Sequence, residues 1–258
     1  RREFRSEPRY VACENGVIDL EVIDLEGTSL NSILSFDPNY NHIQKIPVLF
    51  NVEATCPNIK KALRDWLNGQ DKIEEKIAFF FEFIGYCLFK DYPFAVAVFL
   101  VGEGSNGKST LLELLNSFLG EENVSHIPIQ QLSDRFAKVR LYGKLANISD
   151  ELPETEIRDS NMFKETTGNS TIGAEEKYRQ EEIKFKSYAK QIYSTNQLPQ
   201  TSDRSRAFFR RVVPIQFLNV FPQNDEFIKT LTTPDELSGL LNEALKGLKR
   251  LLSTKHFS

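Results

Sequence analysis

The spacing of apolar residues divides the chain into a leading region and an α/β region. The first ~50 residues mix short apolar runs with Asn, Gly and Pro, which indicates short strands and loops. From Pro57, apolar residues recur at three- and four-residue intervals, as they do on one face of a helix. This spacing predicts a helix that ends near Leu67 and a second from about Asp71 to Phe89. The predicted buried face of the first helix consists of Ile59, Leu63, Trp66 and Leu67.

After Pro93 the pattern changes to short continuous apolar runs, which are typical of strands buried on both faces of a parallel sheet. Residues 94–101 form the first run, and a glycine-rich stretch and a helix that Gly120 ends follow it. Near the end of the chain, Thr233 is predicted to cap a helix that runs to about Leu252, with Glu236 as its capping-box acid. Three further strands are predicted at residues 144–149, 190–195 and 212–217.

The predicted fold is therefore α/β, with a central parallel sheet flanked by helices. A smaller, mostly helical region precedes it. The expected boundaries are residues 1–90 for the leading region of short strands and helices, 91–220 for the α/β core, and 221–258 for a C-terminal helical segment.

Composition narrows the classes of protein that fit. Hydrophobic residues make up 40% and charged residues 26% of the 258 residues, a balance typical of globular proteins. No apolar run approaches the ~20 residues of a membrane span, so we expect no membrane partner and a cytoplasmic location. The three cysteines and three histidines are scattered without metal-ligand spacing, which predicts reduced thiols and no structural metal. With a net charge of -4, any nucleic acid must be held by a local basic patch.

The stretch GEGSNGKST carries the clearest chemistry. It fits the phosphate-binding pattern G-x-x-x-x-G-K-[ST], between a predicted buried strand and a helix. Glycines let backbone N–H groups surround phosphates, and Lys108 can reach the β- and γ-phosphates of ATP. Ser109 offers a hydroxyl to Mg²⁺. The predicted ATP-binding residues are Gly102, Glu103, Gly104, Ser105, Asn106, Gly107, Lys108, Ser109 and Thr110.

Polar residues follow two further predicted strands. Asp150 and Glu151 come directly after the strand at 144–149. The first acid can hold Mg²⁺ and the second can deprotonate an attacking water, which favours an ATPase over a small-molecule kinase. Asn196 follows the strand at 190–195 and can position that water. We therefore expect Lys108, Glu151 and Asn196 to be catalytic.

Four arginines occupy the stretch DRSRAFFRRVVPIQF. Apolar residues surround Arg210 and Arg211, which indicates that both lie on an ordered element. An arginine that completes the site of a neighbouring subunit would explain such a cluster, whereas a surface ion-pair cluster is the plainer alternative.

Together these motifs resemble superfamily 3 helicases of the AAA+ class, and most closely the helicase part of phage, plasmid and poxvirus primase-helicases. The resemblance extends to ENGVIDL and CPNIKKALRDWL in the leading region. It implies an ATP-driven motor, usually a hexamer, that moves along single-stranded or forked DNA. It also implies an arginine finger that acts in trans and falls on Arg211, and a primase or polymerase domain N-terminal to this region in the full protein.

Motors of this family carry a β-hairpin that touches DNA. The candidate is residues 168–188, with turn residues expected at 169–174. Lys177, Tyr178 and Arg179 combine two cations with an aromatic ring and are the predicted DNA contacts. An exposed hairpin of ordinary mixed charge is the alternative, because four glutamates surround them.

Two other functions stay open at this stage. A replication initiator or loader would use ATP mainly to hold a ring together, with slow turnover that is indifferent to DNA. A P-loop kinase would act as a monomer and would leave Asn196 and Arg211 without a role.

Overall fold

A computed structural model describes residues 7–21, 33–37, 40, 44–152, 156–157, 159–175 and 182–258. The chain divides into two compact units. One comprises the described residues of Arg1–Lys90, Glu113–Gly120 and Pro222–Ser258. The other comprises those of Asp91–Leu112 and Glu121–Phe221.

The first unit combines a small antiparallel sheet with helices. Its strands β1 (Tyr10–Cys13), β2 (Gly16–Asp19) and β3 (Ile33–Leu34) pair in that order. Its helices are α1 (Pro57–Leu67), α2 (Ile73–Leu88), α6 (Phe227–Leu231) and α7 (Pro234–Thr254). The predicted buried face of α1 is confirmed, because its four apolar side chains are at most 3% exposed.

The α2 and α7 helices pack closely because glycines bring their backbones together. A methyl group at Gly85 would overlap the Ala244 carbonyl, and one at Gly247 would come within 2.7 Å of the Glu82 backbone nitrogen. The buried Glu82 carboxylate binds the Arg250 guanidinium and accepts the Ser258 backbone N–H at 2.9 Å. Burial of this carboxylate is tolerated because its polar partners supply hydrogen-bond donors.

The capping prediction for α7 is half correct. Thr233 accepts the Glu236 N–H at 3.4 Å, as expected of an N-cap. The Glu236 carboxylate, however, accepts the backbone N–H groups of Asn58 and Ile59 at 3.0 and 3.1 Å. It caps the start of α1, where no side chain of the described residues on that helix supplies a cap.

The second unit contains the predicted parallel sheet. Its strands are β4 (Ala97–Val101), β5 (Val124–Ser125), β6 (Ala146–Ser149), β9 (Lys190–Thr195) and β10 (Val212–Gln216). They pair in the order β10-β4-β9-β6-β5, all parallel. The α/β fold with a central parallel sheet flanked by helices is thus confirmed. The prediction missed β5, which has only two residues.

Helices and a hairpin complete this part of the chain. The helix α3 (Lys108–Leu119) follows β4, and its residues from Glu113 onward belong to the first unit. The helix α4 (Asn161–Thr166) follows β6, and α5 (Arg206–Phe209) precedes β10. The strands β7 (Thr171–Ala174) and β8 (Ile183–Lys186) form an antiparallel hairpin. The turn expected at 169–174 is wrong in part, because Thr171–Ala174 is a strand whose Ile172 is buried and pairs with Phe185. Three 3₁₀ turns lie at Glu121–Asn123, Ile129–Gln131 and Lys138–Leu141.

No helix among the described residues has the length and apolar character needed to cross a membrane. The domain boundaries expected from the sequence stay a prediction.

Lys90 is a buried charge of the first unit. It is 6% exposed, and its Nζ has no hydrogen-bond partner in the described part of the chain. Desolvation lowers the pKa of Lys90 from 10.5 to about 8. The folded state therefore carries a penalty below pH 8, and that penalty disappears as the pH rises from about 8 to 10.5.

We expect Lys90→Met to raise the free energy of unfolding at pH 7 by up to about 3 kcal/mol, since each pKa unit corresponds to about 1.4 kcal/mol. The gain should shrink as the pH rises above 8. Urea denaturation at several pH values measures it, with the exposed Lys249→Met as control. Equal effects of the two substitutions at pH 7 would contradict the assignment.

Candidate functional site

A cleft of about 940 Å³ opens at the carboxyl-terminal edge of the parallel sheet. Because β9 lies between β4 and β6, the segments that follow these three strands meet at one place. Ligands in open α/β sheets bind at this edge, and the volume suits a nucleotide. The cleft is lined by Glu103–Thr110, Asp150–Leu152 and Ser194–Gln200, which include all the predicted ATP-binding residues except Gly102, as well as Asp150, Glu151 and Asn196.

The conformation of the phosphate loop depends on glycines that leave room for neighbouring groups and on a buried side-chain amide. The Gly102 N–H binds the Thr195 carbonyl at 3.1 Å, and a side chain at Gly102 would overlap both Asn106 and the Phe217 carbonyl. Gly107 adopts a φ of 90°, a region that favours glycine. Backbone N–H groups at the start of α3 are thereby available to an anion.

Asn106 braces the loop from inside. It is 4% exposed, and its amide nitrogen donates to the carbonyls of Glu103 and Phe217, the latter at 3.3 Å. Its Oδ1 accepts from the Lys108 ammonium at 3.1 Å. The sequence placed Asn106 in the loop but gave no sign of this bracing role, because its partner Phe217 is distant along the chain.

Lys108 lies folded onto the loop. Its ammonium donates to the carbonyls of Gly102 and Glu103, the latter at 3.3 Å. Burial lowers the pKa of Lys108, and the negative charges of Asp150 and Glu151 oppose that shift. A phosphate oxygen is a stronger acceptor than these neutral carbonyls. The ammonium is therefore held where an entering phosphate can take it over.

The two acids lie opposite the loop. The Glu151 N–H donates to the Asp150 carboxylate at 3.1 Å, and the next N–H, of Leu152, binds the Ser194 carbonyl at 3.0 Å. Glu151 has a φ of 52°, a left-handed conformation that costs a non-glycine residue about 1–2 kcal/mol. Both carboxylates are exposed to the cleft. Strain of this kind clusters at functional sites and is here held by the adjacent β9 strand.

Two residues of the cleft carry the oxygen atoms that an oxygen-ligated cation requires. Ser109 and Asp150 both line the cleft and are exposed, and hydroxyl and carboxylate oxygens are the ligands that Mg²⁺ prefers. Mg²⁺ in such sites uses one or two protein oxygens and completes its shell with phosphate and water. The oxygen atoms of Ser109 and Asp150 are thus of the kind and number that a protein usually contributes to Mg²⁺.

Arg210 and Arg211 lie at the other end of the sheet. The Arg211 carbonyl accepts the Ala97 N–H at 2.7 Å, at the beginning of β4. The five residues of β4 separate that point from the phosphate loop by about 16 Å. The structure therefore brings Asn196 together with the loop and the acids, but it does not bring either arginine into the same cleft.

The two arginines differ in exposure. Arg211 is 8% exposed; its Nε donates to the Thr167 hydroxyl at 3.0 Å, and its guanidinium also binds the Ala207 carbonyl. Burial, with the charge of Arg210 as a second cause, lowers the pKa of Arg211. Arg210 is exposed. Its neighbour Phe209 is also 55% exposed.

The predicted DNA contacts Lys177, Tyr178 and Arg179 lie outside the described residues. The described part of the hairpin adjoins a basic and aromatic surface that the sequence analysis missed. Arg135 pairs with Glu175 at 2.7 Å and stacks over the Phe136 ring at 5.2 Å. Further exposed cations are Arg140 on the following 3₁₀ turn and, on β8, Lys184 and Lys186, of which Lys184 pairs with Glu182 at 3.6 Å. The alternation of cations and aromatics in the stretch DRFAKVRLY was the available signal.

Comparison with known proteins gives three results. Residues 100–211 match a family model described as "Family of unknown function (DUF5906)". Over 228 residues, the chain is 27% identical to "Putative helicase L207/L206" of Acanthamoeba polyphaga mimivirus, covering 86% of this chain and 23% of that protein. The chain is thus distantly related to a viral protein that carries a helicase name.

The fold resembles solved structures of the NrS-1 C-terminal region. One apo structure superposes with a TM-score of 0.58 at 19% identity, over 79% of this chain and 49% of that one. Another gives 0.59 at 18% identity, over 82% and 53%. The chain spans about a quarter of the mimivirus relative and about half of the NrS-1 chains.

The glycine contacts generate a stability prediction. Gly102→Ala should lower the free energy of unfolding by about 1–3 kcal/mol, because the methyl group overlaps groups that cannot both move away. Gly104→Ala is the matched control, since no described atom lies within 4 Å of a methyl group there. Chemical denaturation compares the two variants. Equal stability would contradict the described loop conformation.

Proposed function

We propose that this chain is the ATP-hydrolysing motor of a DNA helicase, built as a superfamily 3 AAA+ ring with ATP bound between subunits. The observation that carries the proposal is the separation of parts across one sheet. The phosphate loop, two acids and Asn196 share one edge, and the arginine pair lies at the opposite edge. In a ring built from head-to-tail contacts, two different surfaces of neighbouring subunits meet, so the arginine pair of one subunit can face the cleft of the next.

Each residue in the cleft has a distinct task in this proposal. Loop N–H groups and Lys108 bind the phosphates, and Lys108 exchanges its carbonyl acceptors for phosphate oxygens. Mg²⁺ held by Ser109 and Asp150 would neutralise phosphate charge. Glu151 takes the proton from the attacking water, and Asn196 orients that water beside the γ-phosphate.

Arg210 is the better placed of the two arginines to act in trans. An arginine finger must reach out of its own subunit, and Arg210 is exposed whereas Arg211 is occupied by Thr167 and Ala207. We assign Arg210 to the neighbour's γ-phosphate and Arg211 to holding the segment that presents it. Stabilising transition-state charge in this way raises hydrolysis by roughly 10³- to 10⁵-fold in related chemistry.

Exposed apolar side chains support the pairing of the two edges. Leu198 lines the cleft, and Leu218 and Val220 lie three residues and one residue before Phe221, whose N–H binds the Ser105 carbonyl at 2.8 Å. These three side chains are 44%, 58% and 76% exposed. A neighbouring subunit that covers them removes apolar surface from water and brings Phe209 and Arg210 towards the cleft.

We propose that the motor moves along DNA. The surface formed by Arg135, Phe136 and the hairpin offers cations for backbone phosphates and a ring for stacking, in a chain whose net charge is negative. The helicase name of the mimivirus relative supports the same function. A single-stranded or forked substrate follows from the resemblance to superfamily 3 helicases.

A mixing experiment tests the shared site. We expect Glu151→Gln and Arg210→Ala to lower ATP hydrolysis each by at least about 10²-fold when assayed alone. Mixed in equal amounts before assembly, they should recover about a quarter of the wild-type rate, because a quarter of the interfaces then pair an intact cleft with an intact arginine.

Co-purification of untagged Arg210→Ala with affinity-tagged Glu151→Gln from the same mixture is the control for exchange between subunits. No recovery in the mixture of Glu151→Gln and Arg210→Ala, with normal exchange, would contradict the assignment of Arg210. Full activity of Arg210→Ala alone would do so as well.

A further inference from the structure

The short helix α4 is held by side chains from outside itself. It has only six residues, and such a length is unstable alone. Ser160 occupies its N-cap position, yet its hydroxyl donates to the Asp203 carboxylate and caps no N–H group of the helix. The N-cap residue of the helix is therefore tied to Asp203, which lies 43 residues further along the chain.

Asp203 joins two helices. Its carboxylate accepts from Ser160 and from the Lys164 ammonium at 2.9 Å, both on the α4 side. It also accepts the backbone N–H of Ser205 at 2.8 Å, and the Ser205 hydroxyl caps α5. Hydrogen bonds from Ser160, Ser205 and Lys164 lower the pKa of Asp203. One carboxylate thus fixes the beginning of α5 against α4.

Arg211 holds the other end of the same helix. Thr167, the C-cap residue of α4, accepts from the Arg211 guanidinium and donates its hydroxyl to the Phe163 carbonyl at 2.6 Å. Between the two polar contacts, the rings of Phe163 and Phe208 lie 5.2 Å apart. The segment from Asp203 to Arg211 therefore clamps α4 at both ends.

This clamp adjoins the cleft lining and the hairpin and contains Arg210. The cleft lining ends at Gln200, three residues before Asp203. Arg210 lies within the clamping segment, and β7 of the hairpin begins at Thr171, four residues after the C-cap of α4. A change in the cleft lining has a continuous, packed route to the hairpin through α4.

We propose that Asp203 is a positioning residue that makes the hairpin move with the nucleotide cleft, by holding α4 to the segment that follows the cleft. The inference rests on the proposed function. Asp203 touches neither nucleotide nor DNA in this account. Its loss uncouples DNA binding from ATP hydrolysis and leaves the cleft itself intact.

The test compares ATP hydrolysis with and without a single-stranded oligonucleotide, together with oligonucleotide binding and thermal unfolding, for Asp203→Ala and Asp203→Asn. We expect basal hydrolysis within about twofold of wild type, because the contacts of Arg211 with Thr167 and Ala207 that hold Arg210 do not involve Asp203. The stimulation by DNA should fall at least about threefold. Lys164→Met should show the same pattern more weakly. Combined with Asp203→Ala it should add no further loss, because the two residues act on one contact.

Asp159→Ala is the matched control. Asp159 is an exposed acid beside the same helix that accepts the Asn161 N–H at 2.9 Å but makes no contact in the clamp. It should lower stability slightly and leave the stimulation by DNA intact.

Three results would overturn the inference. They are an unchanged stimulation in both Asp203 variants, an equal proportional loss of basal and stimulated rates, and the same loss in Asp159→Ala. Should Asp203→Ala fail to fold, Asp203→Asn and Lys164→Met decide the question alone. Absence of DNA-stimulated hydrolysis in the wild-type protein would instead contradict the proposed function itself.

Discussion

The insertion of β9 between β4 and β6 is the constraint on which the site depends. Parallel pairing sends the ends of all three strands to one edge. The phosphate loop, the two acids and Asn196 therefore meet there although they are far apart in the sequence. The same pairing sends the beginnings of the strands to the opposite edge. Because β10 pairs with β4, Arg210 and Arg211 are held there, about one strand length from the cleft.

Polar contacts then preorganise the parts that the sheet brings together. Asn106 and the loop carbonyls hold the Lys108 ammonium, and a hydrogen bond from Leu152 to β9 holds the strained Glu151 backbone. Such fixed dipoles and charges favour a charged transition state because they need little reorganisation. Arg211 serves the same end at the opposite edge, where its buried guanidinium fixes the segment that carries Arg210.

The elements that the sequence predicted best are those whose signal is local. Strand β4 is a continuous apolar run, β6, β9 and β10 are short segments with an apolar centre, and the phosphate loop has a fixed spacing. The two-residue β5 has too little pattern to detect, and Thr171–Ala174 combined turn-forming residues with a buried isoleucine. Lys190 shows that even a fully buried strand can begin with a charge, here bound to two carbonyls and stacked on Tyr92.

Contacts between residues that are distant along the chain could not be predicted from the sequence. The caps that Glu236 gives to α1, the brace of Asn106 and the burial of Arg211 each depend on partners that only the folded chain brings near. The resemblance to superfamily 3 helicases placed the finger at Arg211. The difference in exposure between adjacent arginines, which favours Arg210, follows from side-chain packing that no spacing rule contains.

The central claim is that ATP is hydrolysed at a site shared between subunits and coupled to DNA. The steady-state rate of hydrolysis per subunit, measured across protein concentrations with and without single-stranded DNA, tests it most directly. The account predicts a rate that rises steeply with protein concentration and that DNA increases further. A rate per subunit that is independent of concentration and of DNA would contradict it.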